Sequence, residues 1–231
     1  MNRLTVTLVA VVALTAASAC AKAKRPSLQP SAPVPGAVLW VEPTDLEQRD
    51  LFYGPWGKEN APDPLDTFKL VEYKRSGVNL GMTVKDSRDR EWSVKTPYPG
   101  GLDSEAPVEV VLSRVLSAVG YPQPPVYHLP AFRLKDDFGT RTVEGGRFRL
   151  KEDTLDDQGP WPWEENPFIG SKPYQGLLVM LMLFNSTDMK NSNNTLYLRR
   201  NGDLVEQWYA VRDIGSALGD TAFLAPRKNN V

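Results

Sequence analysis

Apolar positions recur along this chain in two rhythms, and the switch between them predicts most of its elements. Phe68 to Tyr73, Met82 to Lys85 and Glu91 to Lys95 alternate apolar with polar residues, so each predicts a strand, the last two joined by the polar turn Asp86 to Arg90. Val108, Val111, Leu112, Val115, Leu116 and Val119 then fall at helical spacing and predict one apolar helix stripe. Asp103 or Ser104 would cap that helix, Pro107 fits its first turn, and Gly120 ends it. Val126 to Leu134 and Arg147 to Lys151 read as strands of a hairpin.

Leu177 to Phe184 is a run of eight apolar residues. Its Leu and Met content, with Val179 the one β-branched member, favours a buried helix over a buried strand. Thr195 to Arg199 and Leu204 to Val211 flank Asn201-Gly202, a two-residue hairpin signal. Between these elements lie a Pro/Gly/acid-rich stretch, Glu42 to Pro64, and an acidic, aromatic loop, Asp153 to Pro173. Strands, one helix, strands, one buried helix, a polar loop and a hairpin make an α+β chain, not a doubly wound sheet.

Composition narrows the function classes. The 231 residues carry 27 Lys+Arg against 28 Asp+Glu, and 41% are apolar, as in an ordinary globular protein. A net charge of −1 supplies no basic excess for a nucleic-acid partner. One His and one Cys exclude a His-rich zinc site and an internal disulfide.

The N-terminus reads as targeting. Arg3 precedes the 11-residue apolar stretch Leu4 to Leu14, too short to span a bilayer. Ala17-Ser18-Ala19-Cys20 resembles a bacterial lipobox, which implies residues 1–20 as signal peptide and a lipid on Cys20. Plain signal-peptidase cleavage after Ala19 is the alternative. Residues 21–37, with Pro26, Pro30, Pro33 and Pro35, read as an extended tether. The expectation is an exported cell-envelope protein, anchored to the membrane through Cys20, or else soluble in the periplasm or secreted. Residues 38–231 form the folded part.

Candidate chemistry lies in the polar loop after the second helix, Asp188-Met189-Lys190-Asn191-Ser192-Asn193, a D-x-K-x-x-N pattern. Past the hairpin comes Asp213-Ile214-Gly215, a D-x-G, and upstream the strand Glu91 to Lys95 ends in a lysine before a helix that bears acids. From about Phe68 to Gly219 the set resembles the protein-kinase-like superfamily, in its atypical bacterial branch of HipA-type and phosphatidylinositol-kinase-like proteins. The resemblance implies a two-lobed fold. An N-terminal antiparallel sheet with one helix would span 68–151, and a partial C-terminal lobe 152–231, truncated because only 18 residues follow Asp213.

It also implies ATP and Mg²⁺ as cofactors and an unidentified protein or small-molecule phosphate acceptor. Phosphoryl transfer needs charge neutralisation and alignment more than covalent help. Lys95 would contact the nucleotide phosphates, with a helix carboxylate to orient it: Glu109, or Glu105 one turn earlier. Asp188 would orient the attacking hydroxyl and Lys190 would neutralise the transferring phosphate. Asn193 and Asp213 are the hard oxygen ligands Mg²⁺ prefers. Gly215 would let the chain turn after the metal ligand. Ser76 to Gly81 resembles a reduced glycine-rich loop, with Gly77 and Gly81 near the phosphates. Export into a compartment poor in ATP leaves a second reading open, a catalytically inactive kinase-like binding or scaffold lipoprotein.

Overall fold

The structure, a computed structural model, describes residues 34–74, 80–97, 105–186 and 188–218. The leader with Cys20, the start of the tether, the loop carrying Gly77 and the capping candidates Asp103 and Ser104 lie outside the described residues. The elements in chain order are β1 (Ala37–Val38), β2 (Thr67–Lys74), β3 (Leu80–Lys85), β4 (Glu91–Thr96), α1 (Glu105–Ala118), β5 (Val126–Asp136), β6 (Gly139–Leu150), β7 (Leu155–Asp157), α2 (Lys172–Leu183), β8 (Asn194–Asn201) and β9 (Leu204–Val211).

Five strands close a barrel in the order β2-β3-β4-β6-β5, with β2 and β5 running parallel where it closes. Strand β4 shows how the alternation works. Trp92 and Val94 point into the barrel and are buried, while Ser93 and Lys95 face out on the other side. Inside, Phe148 sits 4.9 Å from Phe68 and 5.0 Å from Phe132 by ring centroids, in tilted and edge-on contacts. Asp86 opens and braces the β3–β4 turn. Its carboxylate accepts from the backbone N–H of Arg88 and Arg90 and from Trp92 Nε1, and it pairs with the Arg90 guanidinium.

The other four strands form a sheet in the order β1-β9-β8-β7. A second core joins it to the helices, built from Leu112 and Leu116 of α1, Leu177 and Leu181 of α2, and Trp161, Trp163 and Ile214. The chain is thus a small barrel and a small sheet, with α1 bridging them through different faces.

Both helices differ from the simple stripe. In α1 the buried positions include Ala106, Glu109, Val110, Leu112, Ser113 and Leu116, while Val111 is 52% exposed. The helix is rotated so that a carboxylate shares the inward face, because it packs on the barrel wall as well as on apolar neighbours. Helix α2 is capped by Ser171, whose hydroxyl accepts from Tyr174 N–H at 3.3 Å. It buries one face only: Leu177 and Leu181 are 1% exposed, but Met182 and Leu183 are 78% and 72% exposed. The strand expected from Arg147 starts earlier, at Gly139, because its polar half pairs with β5 through the register Ala131↔Glu144 to Asp136↔Gly139.

Phe148→Ala should destabilise the protein by about 3–5 kcal/mol in chemical denaturation, since it empties the centre of the barrel's ring cluster.

Candidate functional site

A cleft of about 770 Å³ lies between the outer face of the barrel and the β8–β9 sheet, with Lys95, Asp188, Asn193 and Asp213 in its walls. Lys95 is the last residue but one of β4, placed by the outward half of the alternation. Its ammonium donates to Asp213 Oδ1 at 3.1 Å and lies 3.6 Å from Glu105 Oε2. Three segments 118 residues apart in sequence at their extremes therefore meet at one cation.

Gly215 makes this meeting possible, by a different route from the turn expected of it. Its φ is not in the left-handed region. A Cβ there would come within 2.8 Å of the Glu105 backbone oxygen, so glycine is needed for the close approach of the D-x-G segment to the start of α1.

The polar loop is tied to the same point. Asn193 Nδ2 donates to the Asp188 carbonyl at 2.6 Å, and the Asn193 carbonyl accepts from the backbone N–H of Arg212 at 2.8 Å and Asp213 at 3.1 Å. One asparagine thus clamps the D-x-K-x-x-N loop to the D-x-G strand end. Lys190 pairs with both oxygens of Asp188, at 2.9 and 3.1 Å. Gly81 lies on β3 directly opposite Lys95 and lines the cleft.

Glu109 stands apart from the role expected of it. It is 1% exposed, and Arg147 Nε and Arg149 Nη2 of β6 lie 3.0 and 2.5 Å from its Oε1. The difference is one of height along the helix: the two acids share a face of α1, but Glu109 lies one turn, about 6 Å, further along, beside Arg147 and Arg149 instead of Lys95. Arg149 also donates to the Arg212 carbonyl at 3.2 Å, so the buried pair reaches the residue before Asp213. Burial, together with Arg147 and Arg212, lowers the Arg149 pKa to about 10 against the opposing pull of Glu109, and it stays charged at neutral pH.

Asp213 is held as an anion by the cations around it. Burial works to raise its pKa, but Lys95, Arg149 and Arg147 outweigh burial and hold it below the ordinary value of 3.8. It is therefore an anion throughout the neutral range. Its side chain is 44% exposed to the cleft, which suits an oxygen donor to a cation.

The donor set is lean. Among the described residues no three His, Cys, Asp or Glu side chains come together as a metal-binding group. A carboxylate and an amide oxygen fit Mg²⁺ all the same, because that ion is commonly held by one or two protein oxygens with water and phosphate completing its shell. Asn193 spends its amide nitrogen on Asp188, so its oxygen is the atom available for that purpose.

The cleft also contains cations that motif reasoning passed over: Lys74, Arg147, Arg149, Lys151 and Arg212. The signal for two of them was present, since Arg147 and Arg149 alternate with the buried Phe148. Comparisons with protein-family models, curated proteins and solved structures found no match to the chain.

Two outcomes follow from this geometry. Glu109→Gln should destabilise the fold by about 3–5 kcal/mol in urea titrations, because it leaves two guanidinium groups facing each other without their shared counter-charge. Lys95→Met should raise the Asp213 pKa, followed by carboxyl NMR. The depressed pKa stabilises the folded protein above about pH 3.8, a contribution lost as the pH falls through the folded value, and Lys95→Met should shrink it.

Proposed function

We propose that the chain is an exported, kinase-like protein, anchored through Cys20, whose cleft binds a nucleotide with Mg²⁺ and transfers a phosphoryl group to an acceptor hydroxyl. The observation that carries this reading is Lys95, on the third barrel strand, held between the helix carboxylate Glu105 and the D-x-G carboxylate Asp213. A strand lysine paired with a helix glutamate, beside a metal-holding aspartate, is the working arrangement of protein kinases. The roles of helix acid and of Lys95 partner go to Glu105, while Glu109 braces the helix.

In this reading Lys95 contacts the nucleotide phosphates, oriented by Glu105 and Asp213. Asp213 and Asn193 would hold Mg²⁺, which when bound offsets the negative charge of the phosphates. Asp188 orients the acceptor hydroxyl and takes its proton as the oxygen–phosphorus bond forms. The bond from phosphorus to the bridging oxygen breaks, and the diphosphate leaves with that electron pair. Lys190, next to Asp188, offsets charge on the group in transit.

A second reading is a catalytically inactive binding module on the same fold. It is favoured by the engagement of both Asp188 oxygens by Lys190, which leaves neither free of that cation. Turnover separates the two.

Calorimetric titration of the folded protein with ATP and Mg²⁺ should show binding, and Asp213→Ala should weaken it by at least about tenfold. Binding that is unchanged in Asp213→Ala overturns the metal and nucleotide assignment. Release of ADP by the wild type that is lost in Asp188→Asn supports transfer, whereas nucleotide binding with no release supports the inactive module.

A further inference from the structure

Among the cations that the kinase-like reading leaves unused is Lys74, at the end of β2. Its side chain is laid across Gly81 of the neighbouring strand: a Cβ on Gly81 would lie 3.2 Å from Lys74 Cβ and 3.4 Å from its Cδ. Stretched over that gap, the ammonium reaches β4 and donates to Ser93 Oγ at 2.8 Å. Lys74, Gly81, Lys95 and Arg147 are successive partners across β2, β3, β4 and β6, so one cross-strand row presents three cations and a glycine.

The charges around Lys74 are paired unevenly. Arg147 and Arg149 share the single carboxylate of Glu109. Of the carboxylates lining the cleft, Glu105 and Asp213 are taken by Lys95, Asp157 by Arg212 and Asp188 by Lys190. Glu152, also in the lining, has its pKa raised by burial, with Arg199 opposing. Lys151 pairs with Glu91. Among the described residues Lys74 has a hydroxyl for a partner and no carboxylate. Burial, then Arg147, Lys151, Arg149 and Arg212, lower its pKa below the ordinary lysine value, so the ammonium sits among like charges. An added anion relieves that repulsion, and Lys74 lines the cleft where it would meet one.

We propose that Lys74, backed by Arg147 and Arg149, is a second anion-binding point of the cleft, and that the ligand is a polyphosphate held both there and at Lys95. The proposal rests on the nucleotide-binding reading above and sharpens its substrate class. The triphosphate of a nucleotide and an inorganic polyphosphate chain share this chemistry. A neutral nucleoside lacks it.

The test titrates the wild type, Lys74→Met and Lys74→Arg with sodium tripolyphosphate, Mg²⁺-ATP and adenosine, with thermal melting run on each variant. Tripolyphosphate should bind the wild type and compete with ATP, and adenosine should do neither. Lys74→Met should weaken tripolyphosphate about tenfold or more, Lys74→Arg should restore most of it, and both should melt with the wild type. Tripolyphosphate affinity unchanged in Lys74→Met overturns the second point. A fall in melting temperature with unchanged affinity assigns Lys74 a bracing role between β2 and β4, and likewise overturns it.

If Lys74→Met loses tripolyphosphate while Asp213→Ala still binds Mg²⁺-ATP normally, the anion point stands and the metal-site reading falls. If the folded wild type binds neither ligand, both fall.

Discussion

One buried carboxylate, Glu109, decides how the barrel, the helix and the second sheet sit against one another. It is enclosed with Arg147 and Arg149, and Arg149 reaches on to the Arg212 carbonyl. An ion in such a place is costly to leave unpaired, so the helix has few orientations in which the three charges are all compensated. That orientation directs Glu105 to the cleft. It also sets the barrel strand carrying Lys95 beside the strand end carrying Asp213, since Lys95 pairs in register with Arg147.

The cleft therefore derives its geometry from rigid parts. Its barrel wall is backed by a cluster of aromatic rings, its other wall by a hairpin, and its loop is clamped by Asn193 through three hydrogen bonds. The charged groups that face inward do not have to be ordered when a ligand arrives. Such preorganisation is what a site acting through electrostatics requires. On the same wall Lys74 has, among the described residues, a hydroxyl for a partner and no carboxylate, and this is what ties the fold to the polyanion proposed for it.

Much of the architecture was legible in the sequence, and the failures are instructive. Alternation located the barrel strands because a half-buried strand must present every second residue to the core. The stripe of α1 was visible as helical spacing, but its phase was not: Val111 counts toward an apolar stripe yet is exposed, and Glu109 does not count yet is buried. Counting apolar residues cannot see a face that buries a charge together with its partners. Helix α2 was read as buried from its apolar run, whereas only one side of it is covered among the described residues, since composition carries no information about which side has a neighbour.

For the candidate site, local chemistry was enough to single out Lys95, Asp188, Lys190, Asn193 and Asp213. Their types and spacings are properties of short segments, readable without any fold. Only the tertiary structure chose Glu105 over Glu109, gave Gly215 its role in close approach, and laid Lys74 across Gly81. Each of those depends on distances between segments far apart in the chain. Such distances follow from helix phase, strand register and the compensation of buried charge, none of which a run of residues encodes by itself.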